Sequence, residues 1–174
     1  MFGKRAHPPM RLGFVRSRRL LMLSALLVLV LAGRGAADVA ARWRFSINMT
    51  DSLPNWAFVV DLRDRRPVRG ELVAFAPPPN RWYAPGAVFT KQVAGVPGDV
   101  VERRDRDFYV AERFVGHAKL VSKDGTPTTV GPTGIIPAGR YFVVTGHPDS
   151  LDSRYAEIGW IEASRILGVA RPVL

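Results

Sequence analysis

The chain has 174 residues, no cysteine and a formal net charge of +10. This length suits one compact domain with a buried core, and the lack of cysteine excludes disulfides, thiolate metal sites and a cysteine nucleophile. The histidines His7, His117 and His147 are too few and too scattered to predict a zinc site, so we expect neither a metal nor another cofactor.

The positive charge is concentrated near the N-terminus. Residues 1–44 carry nine Lys or Arg and one acidic residue, whereas the rest carries 16 basic and 14 acidic residues. One downstream arginine cluster is interleaved with acidic residues, which is typical of a solvated loop. It comprises Arg63, Arg65, Arg66 and Arg69, with Asp61, Asp64 and Glu71. A folded domain that binds nucleic acid needs a concentrated basic patch, so we expect no nucleic-acid partner.

A basic N-terminus, residues 1–19, precedes an uncharged apolar run over residues 20–33. This order predicts that the N-terminus stays in the cytoplasm and that the following residues are exported. The run is short of the roughly 30 Å hydrocarbon core when helical, so a transmembrane segment has to continue to about residue 41. Arg34 and Asp38 then pair near the outer interface. A cleavable signal peptide is the alternative, since Gly35-Ala36-Ala37 offers small residues where such a peptide is cut.

Residues 45–174 form the predicted exported domain, which consists of short strands broken by Pro and Gly. The predicted strands cover 57–62, 71–76, 87–94, 99–103, 108–110, 141–145, 158–161 and 167–171. Such frequent turns predict an all-β domain, an antiparallel sandwich or a barrel-like fold. The residues that follow the apolar run closely include Trp43, Phe45, Leu53, Trp56 and Phe58. Core packing is the default interpretation of these side chains, and an aromatic rim at a membrane interface is the alternative.

Lys91 lies in an alternating run, residues 88–94, which places it on the same strand face as Phe89 and Val93. Burial disfavours the charged amine, so such a lysine is neutral near physiological pH and able to act as a general base for a serine nucleophile. A strand-end lysine whose amine reaches water is the alternative.

Three short segments carry a family resemblance. Ser52-Leu53-Pro54 comes first, and Lys91 follows, ahead of a turn at Gly95-Val96-Pro97-Gly98 and Asp99. The third segment, Gly146-His147-Pro148-Asp149-Ser150-Leu151-Asp152-Ser153-Arg154, is called the Ser150 segment below. In this order they resemble the conserved boxes of type I signal peptidases, which use a Ser/Lys dyad. The short chain and the replaced first half of the third box are more similar to the conjugative-transfer, TraF-type branch.

The resemblance implies a role for each matching residue. Ser52 is the nucleophile and Lys91 its general base, while the Ser52 backbone N–H and the Thr50 hydroxyl form the oxyanion hole. Ser150 orients the lysine, and Asp152 and Arg154 form a structural ion pair. Pro54 stiffens the turn that presents Ser52.

The resemblance also implies a function and a location. It implies a single-pass protein of the bacterial inner membrane, with a periplasmic catalytic domain of the signal-peptidase fold. Its partners are then membrane lipid, precursors with leader peptides, above all the pilin of a conjugative type IV secretion system, and proteins of the transfer apparatus. Alternatives are a general type I signal peptidase and a catalytically inactive assembly component of the envelope.

Two further interpretations are less favoured by the residues. His147 with Asp149 or Asp152 is a rival base for Ser52, but Lys91 is retained in its box. A cytosolic self-cleaving repressor shares the Ser/Lys chemistry, but the apolar N-terminal run opposes it. His117 is interpreted as an ordinary surface or strand histidine.

Overall fold

The computed structural model of the protein describes residues 12–48 and 52–173. The chain divides into two compact units, Met1–Ala41 and Arg42–Leu174. A long helix, α1 (Leu12–Arg42), accounts for the described part of the first unit. Within it, Leu20–Arg42 has a mean hydropathy of 2.1 over its most apolar stretch and is long enough to cross a membrane, which fits a membrane anchor or a signal sequence. The helix therefore continues past the apolar run.

The second unit is built from strands, and the prediction of an all-β domain is confirmed. Its strands are β1 (Trp43–Ile47), β2 (Ala57–Asp61), β3 (Leu72–Phe75), β4 (Phe89–Gly95), β5 (Val100–Arg104), β6 (Asp107–Val110), β7 (Arg113–His117), β8 (Gly134–Ile135), β9 (Arg140–Val144), β10 (Ile161–Glu162) and β11 (Ile166–Pro172). A short 3₁₀-helix, Ala163–Arg165, connects the last two strands. The sequence did not predict β1, β7 or β8, and the strand predicted over residues 158–161 meets β10 only at Ile161.

Two antiparallel sheets form this unit. The large sheet has seven strands in the order β1-β2-β11-β3-β4-β9-β10, and the small sheet has four in the order β7-β6-β5-β8. Strand β4 lies inside the large sheet between β3 and β9, with Lys91 opposite Val73. Apolar side chains such as Phe75, Val93 and Val143 pack into the core around it. The central position of β4 is what withdraws Lys91 from solvent.

The aromatic residues after the apolar run divide between core and surface. Phe58 is fully buried, as core packing predicts, whereas Phe45 and Trp56 are 58% and 55% exposed, so core packing is wrong for these two. Among the described residues, strand β1 lies at the edge of the large sheet and pairs with β2, and its burial pattern leaves both Phe45 and Ile47 exposed. Phe45 and Trp56 are thus exposed, as the membrane-interface alternative requires.

The predicted arginine-rich loop is the connection between β2 and β3. Arg63, Arg65 and Arg66 are exposed, as a solvated loop requires. Arg69 pairs with Asp99, and Asp61 accepts a hydrogen bond from Arg42 at 2.9 Å.

Gly168 on β11 provides a test of the sheet packing. A Cβ atom added there would lie 2.1 Å from the backbone oxygen of Asp61, at an irregularity in the pairing of β11 with β3. Backbone cannot move aside as a flexible side chain does, so we expect Gly168→Ala to lower the free energy of unfolding by roughly 2 to 3 kcal/mol. Urea unfolding of the full chain in detergent measures this. Gly146→Ala is the control, because nothing lies within 4 Å of a Cβ at that position. Equal stability of the two variants would contradict the packing argument.

Candidate active site

Lys91 is a buried cation in the middle of the large sheet. On β4 the buried positions alternate, so Phe89, Lys91 and Val93 share one face, as the sequence pattern predicts. Lys91 is 5% exposed, and its Nζ lies 5.5 Å from the centroid of the Phe89 ring. Its amine therefore does not reach bulk water, and the strand-end alternative is wrong.

The Lys91 amine has one hydrogen-bond partner among the described contacts. Nζ donates to the hydroxyl of Ser150 at 2.8 Å, and Ser150 is 3% exposed. Burial lowers the pKa of Lys91 to about 8; the Asp152 carboxylate works against this shift, and the Arg154 guanidinium adds to it. A substantial fraction of the lysine is thus uncharged at slightly alkaline pH, which is what a proton acceptor requires.

A buried ion pair fixes the Ser150 segment. Arg154 donates through Nε to Asp152 Oδ1 and through Nη2 to Oδ2, both at 2.8 Å, and the two residues are 2% and 0% exposed. Arg154 also donates to the backbone oxygens of His117, at 2.8 Å, and His147, at 3.2 Å. Because every nitrogen of the guanidinium is used, this pair satisfies the condition under which buried charges are tolerated.

Strand β9 anchors the same segment. The Val143 N–H donates to the hydroxyl of Ser153 at 2.9 Å, and the Thr145 N–H donates to Asp152 at 3.3 Å. The sequence suggested no role for Ser153, which here ties the segment to the large sheet. Strand β9 pairs with β4, the strand that carries Lys91. The same strand therefore supports the segment that contains Ser150, the hydrogen-bond partner of Lys91.

Ser52 and Lys91 line one cavity of about 280 Å³, called the Ser52 cavity below. The end of β1 and the start of β4 form two of its sides, and Tyr83 forms part of a third. Its other lining residues are Ser46, Ile47, Asn48, Ala87, Val88, Phe89 and Thr90. The structure thus brings together two residues that are far apart in the sequence.

Asn48 bonds to the segment just after Ser52, a role that the sequence pattern did not predict. Its side-chain amide donates to the backbone oxygens of Leu53 at 3.2 Å and Asn55 at 3.1 Å, and its backbone N–H donates to Trp56 at 2.8 Å. An Asn four residues before a candidate nucleophile is the available sequence signal, because Asn side chains bond readily to nearby backbone groups. Pro54 is exposed in this turn, and Thr50 lies outside the described residues.

The rival histidine is not part of this arrangement. His147 is not among the residues that line the Ser52 cavity, and its ring Nδ1 accepts the Asp149 N–H at 3.2 Å. The Asp149 carboxylate contacts Lys119 and Lys123. His117 lies exposed on β7 with Nδ1 2.7 Å from Asp107, as an ordinary strand histidine does.

Comparisons with known proteins identify the family of this chain. The family described as signal peptidase, peptidase S26, matches residues 17–174. The conjugal transfer protein TraF of Agrobacterium fabrum is 31% identical over 166 residues, which cover 83% of this chain and 89% of that protein. Signal peptidase I V of Bacillus subtilis is 34% identical over 113 residues, 58% of this chain and 62% of that protein.

A solved structure is also similar. The crystal structure of a signal peptidase I from Enterococcus faecalis aligns with a TM-score of 0.41 at 29% identity, covering 61% of this chain and 97% of that one. The assignment rests on the sequence matches, which extend over nearly the whole chain. The chain belongs to the signal peptidase S26 family and is a serine peptidase of the TraF-like, type I signal peptidase kind.

Proposed function

We propose that this leader peptidase works through a Ser/Lys dyad, with Ser52 as nucleophile and Lys91 as general base, and that it matures the pilin of a conjugative type IV secretion system. The observation that carries the mechanism is the buried Lys91 amine, held by Ser150 and lining the same cavity as Ser52. A buried amine of lowered pKa beside a serine is the arrangement that activates a hydroxyl without a histidine.

The proposed reaction has two halves. In the first, Ser52 Oγ attacks the scissile carbonyl carbon and its proton passes to Lys91 Nζ; the C–N bond then breaks, and Lys91 returns the proton to the leaving amine. In the second, Lys91 takes a proton from water as the water oxygen attacks the acyl carbon of the ester. The bond from that carbon to Ser52 Oγ then breaks, Lys91 returns the proton to Oγ, and the acyl part leaves as a carboxylic acid. The Ser52 N–H and the Thr50 hydroxyl are the proposed donors to the oxyanion in both halves.

Ser150, Asp152 and Arg154 are proposed as positioning residues. Ser150 accepts one hydrogen of the Lys91 amine and so orients the lone pair of the neutral form. The ion pair of Asp152 and Arg154 keeps Ser150 in place, and the Arg154 charge helps to lower the pKa of Lys91. Pro54 is proposed to stiffen the turn after the nucleophile.

The proposed location follows from the basic N-terminus and the apolar segment after it. Residues 1–19 remain in the cytoplasm, residues 20–41 anchor the protein in the inner membrane, and residues 45–174 form the periplasmic peptidase domain. Exposed Phe45, Ile47 and Trp56 suit contact with membrane lipid at the interface.

Two relatives are conjugal transfer proteins named TraF, which supports a pilin precursor as substrate and other transfer proteins as partners. A general type I signal peptidase is the second candidate, favoured by the similarity to signal peptidase I V.

Co-expression with candidate precursors tests the proposed substrate. We expect mass spectrometry to show the pilin precursor of the same mating system cut by the wild-type protein and left intact by Ser52→Ala. A general secretory precursor serves as the comparison. Cutting of the secretory precursor with an intact pilin precursor would favour the second candidate, and a pilin product lighter than the linear cut form by one water would reveal cyclisation.

The dependence of activity on pH tests Lys91 as the base. Below a pKa of about 8 the amine is protonated and cannot accept the Ser52 proton, so kcat/KM is expected to rise with pH and to level off above that value. Initial rates on a leader peptide between pH 6 and pH 10 measure the profile. A profile that is flat across this range would contradict a lysine base.

A further inference from the structure

A second cavity of about 340 Å³ adjoins the Ser52 cavity, and we call it the Trp82 cavity. Tyr83 lines both cavities. Ser150 lines the Trp82 cavity, while the lysine that it holds lines the Ser52 cavity. The Lys91–Ser150 pair therefore stands between the two cavities.

The Trp82 cavity is built from ordered elements. Ser150 and Tyr155, which are 3% and 5% exposed, line it together with Leu151. Trp82 and Tyr83 form one wall, and Asn80 Oδ1 accepts the backbone N–H of each at 3.1 Å. These bonds hold the aromatic wall in a defined turn, so the cavity does not need a ligand to form it.

A second wall comes from the segment between β7 and β8. The Lys119 N–H donates to the hydroxyl of Tyr155 at 3.1 Å, and the Thr128 N–H donates to the backbone oxygen of Leu120 at 2.9 Å. Val121 lies on this wall and is 50% exposed. Hydrogen bonds thus connect this wall to Tyr155 and connect residues within the wall, so this wall is ordered, as the aromatic wall is.

The charged groups around this cavity are already partnered. Asp149 contacts Lys119 and Lys123. Asp124 accepts hydrogen bonds from the Ser122 hydroxyl and the Thr126 N–H. An ionic ligand would have to displace these contacts, whereas the apolar surfaces of Trp82, Val121 and Leu151 are available to an apolar group. The chemistry of the cavity therefore favours a polypeptide with an apolar side chain.

The position of the cavity identifies which part of a polypeptide it suits. A cut peptide bond joins an acyl part, which becomes attached to the nucleophile, to an amine part, which receives the proton from the base. The amine part must pass within reach of Lys91 Nζ, and the Trp82 cavity begins on the Ser150 side of that atom. We propose that the Trp82 cavity binds the substrate segment that follows the cut bond, with an apolar side chain seated against Trp82. This inference rests on the proposed Ser/Lys reaction.

Two peptides with one leader sequence test the proposal with the full chain in detergent. The first continues six residues beyond the cut, including a leucine, and the second ends at the cut in a small chromogenic amine. We expect Trp82→Ala to lower kcat/KM roughly tenfold for the extended peptide and to leave the short one unchanged. Phe114→Ala is the control, because Phe114 is 58% exposed on β7 and lines neither cavity.

The other outcomes overturn the inference. An equal loss on both peptides would mean that Trp82 only supports the catalytic groups, and unchanged rates on both would mean that the cavity is not used. An equal loss accompanied by slower sedimentation would assign the Trp82 surface to a second copy of this chain. If wild type cuts neither peptide, the proposed reaction fails first and this inference fails with it.

Discussion

Lys91→Met and Ser52→Ala are each expected to lower kcat/KM for leader cleavage by at least about 1000-fold, because each removes one half of a proton transfer that the reaction requires. The double variant is expected to be no slower than either single variant, since groups that act as one unit are not additive. Steady-state rates on a leader peptide measure both. Arg113→Met is the control, because Arg113 is an exposed cation on β7. Additive losses would mean that Ser52 and Lys91 act separately.

Lys91→Met also shows whether a loss of activity comes from a loss of stability, because its expected effects on activity and on the free energy of unfolding have opposite signs at pH 7. Burial lowers the pKa of Lys91 from 10.5 to about 8, so the unfolded chain binds more protons than the folded one between these values, and the stability of the wild type rises with pH across that window. Below pH 8 the full cost of the buried ammonium is present, roughly 3 kcal/mol at about 1.4 kcal/mol for each pKa unit. Methionine has a similar volume and no charge.

We therefore expect Lys91→Met to be more stable than wild type at pH 7, and to lose that advantage as the pH approaches 10.5. Urea unfolding of both proteins at pH 7 and pH 10 measures it. The loss of a donor to Ser150 subtracts about 1 kcal/mol at both pH values, so the pH dependence is the informative quantity. A variant that is less stable than wild type at pH 7 and equally so at pH 10 would contradict the buried cation.

Arg154→Met is expected to lower the free energy of unfolding by about 3 to 5 kcal/mol, the largest stability effect proposed for this chain. It leaves Asp152 as an uncompensated charge with no exposure to solvent. It also removes the hydrogen bond from Arg154 to the backbone oxygen of His117, whereas the backbone oxygen of His147 keeps the Ser150 N–H as a donor. Urea unfolding measures the change, and Arg104→Met is the control, because Arg104 and its partner Glu102 have side chains 71% and 52% exposed.

The same variant changes the titration of the lysine, which a merely structural residue would not do. Arg154 lowers the pKa of Lys91 and Asp152 raises it, so removal of the arginine charge is expected to move the midpoint of the pH profile above 8. An unchanged midpoint in the folded variant would show that Arg154 acts on stability alone.

The sequence predicted most reliably what depends on local pattern. Alternation along β4 predicted the buried face that contains Lys91. The roles of Ser150, Asp152 and Arg154 were implied by the family resemblance of their segment, because their spacing alone is equally typical of a polar surface loop. The short strands were not predictable in the same way: β8 has two residues, and its partner β5 rather than its own composition makes it a strand. Strand β1 follows the helix without a break in the chain, so the sequence pattern does not separate its aromatic residues from those that follow.

Other parts of the site depend on how distant segments meet. Asn48 acts on the turn after it only because the chain folds back from β1 into β2. Tyr83 borders both cavities, yet it belongs to a Pro-rich loop between β3 and β4 with no periodic pattern. Such positions follow from tertiary packing, which no spacing rule within one segment contains.

The bond from Arg154 to the His117 backbone oxygen ties one end of β7 to the Ser150 segment. The other end of β7 meets β6 in a hairpin whose tip, Ala111 and Glu112, has positive φ angles of 46° and 65°. We therefore expect the two ends of β7 to differ in how well they tolerate an inserted peptide. A reporter peptide or fluorescent tag inserted at the tip should leave the peptidase active, whereas the same insertion beside His117 should inactivate it. The hairpin tip is therefore a suitable insertion site for a tag that follows the enzyme in cells.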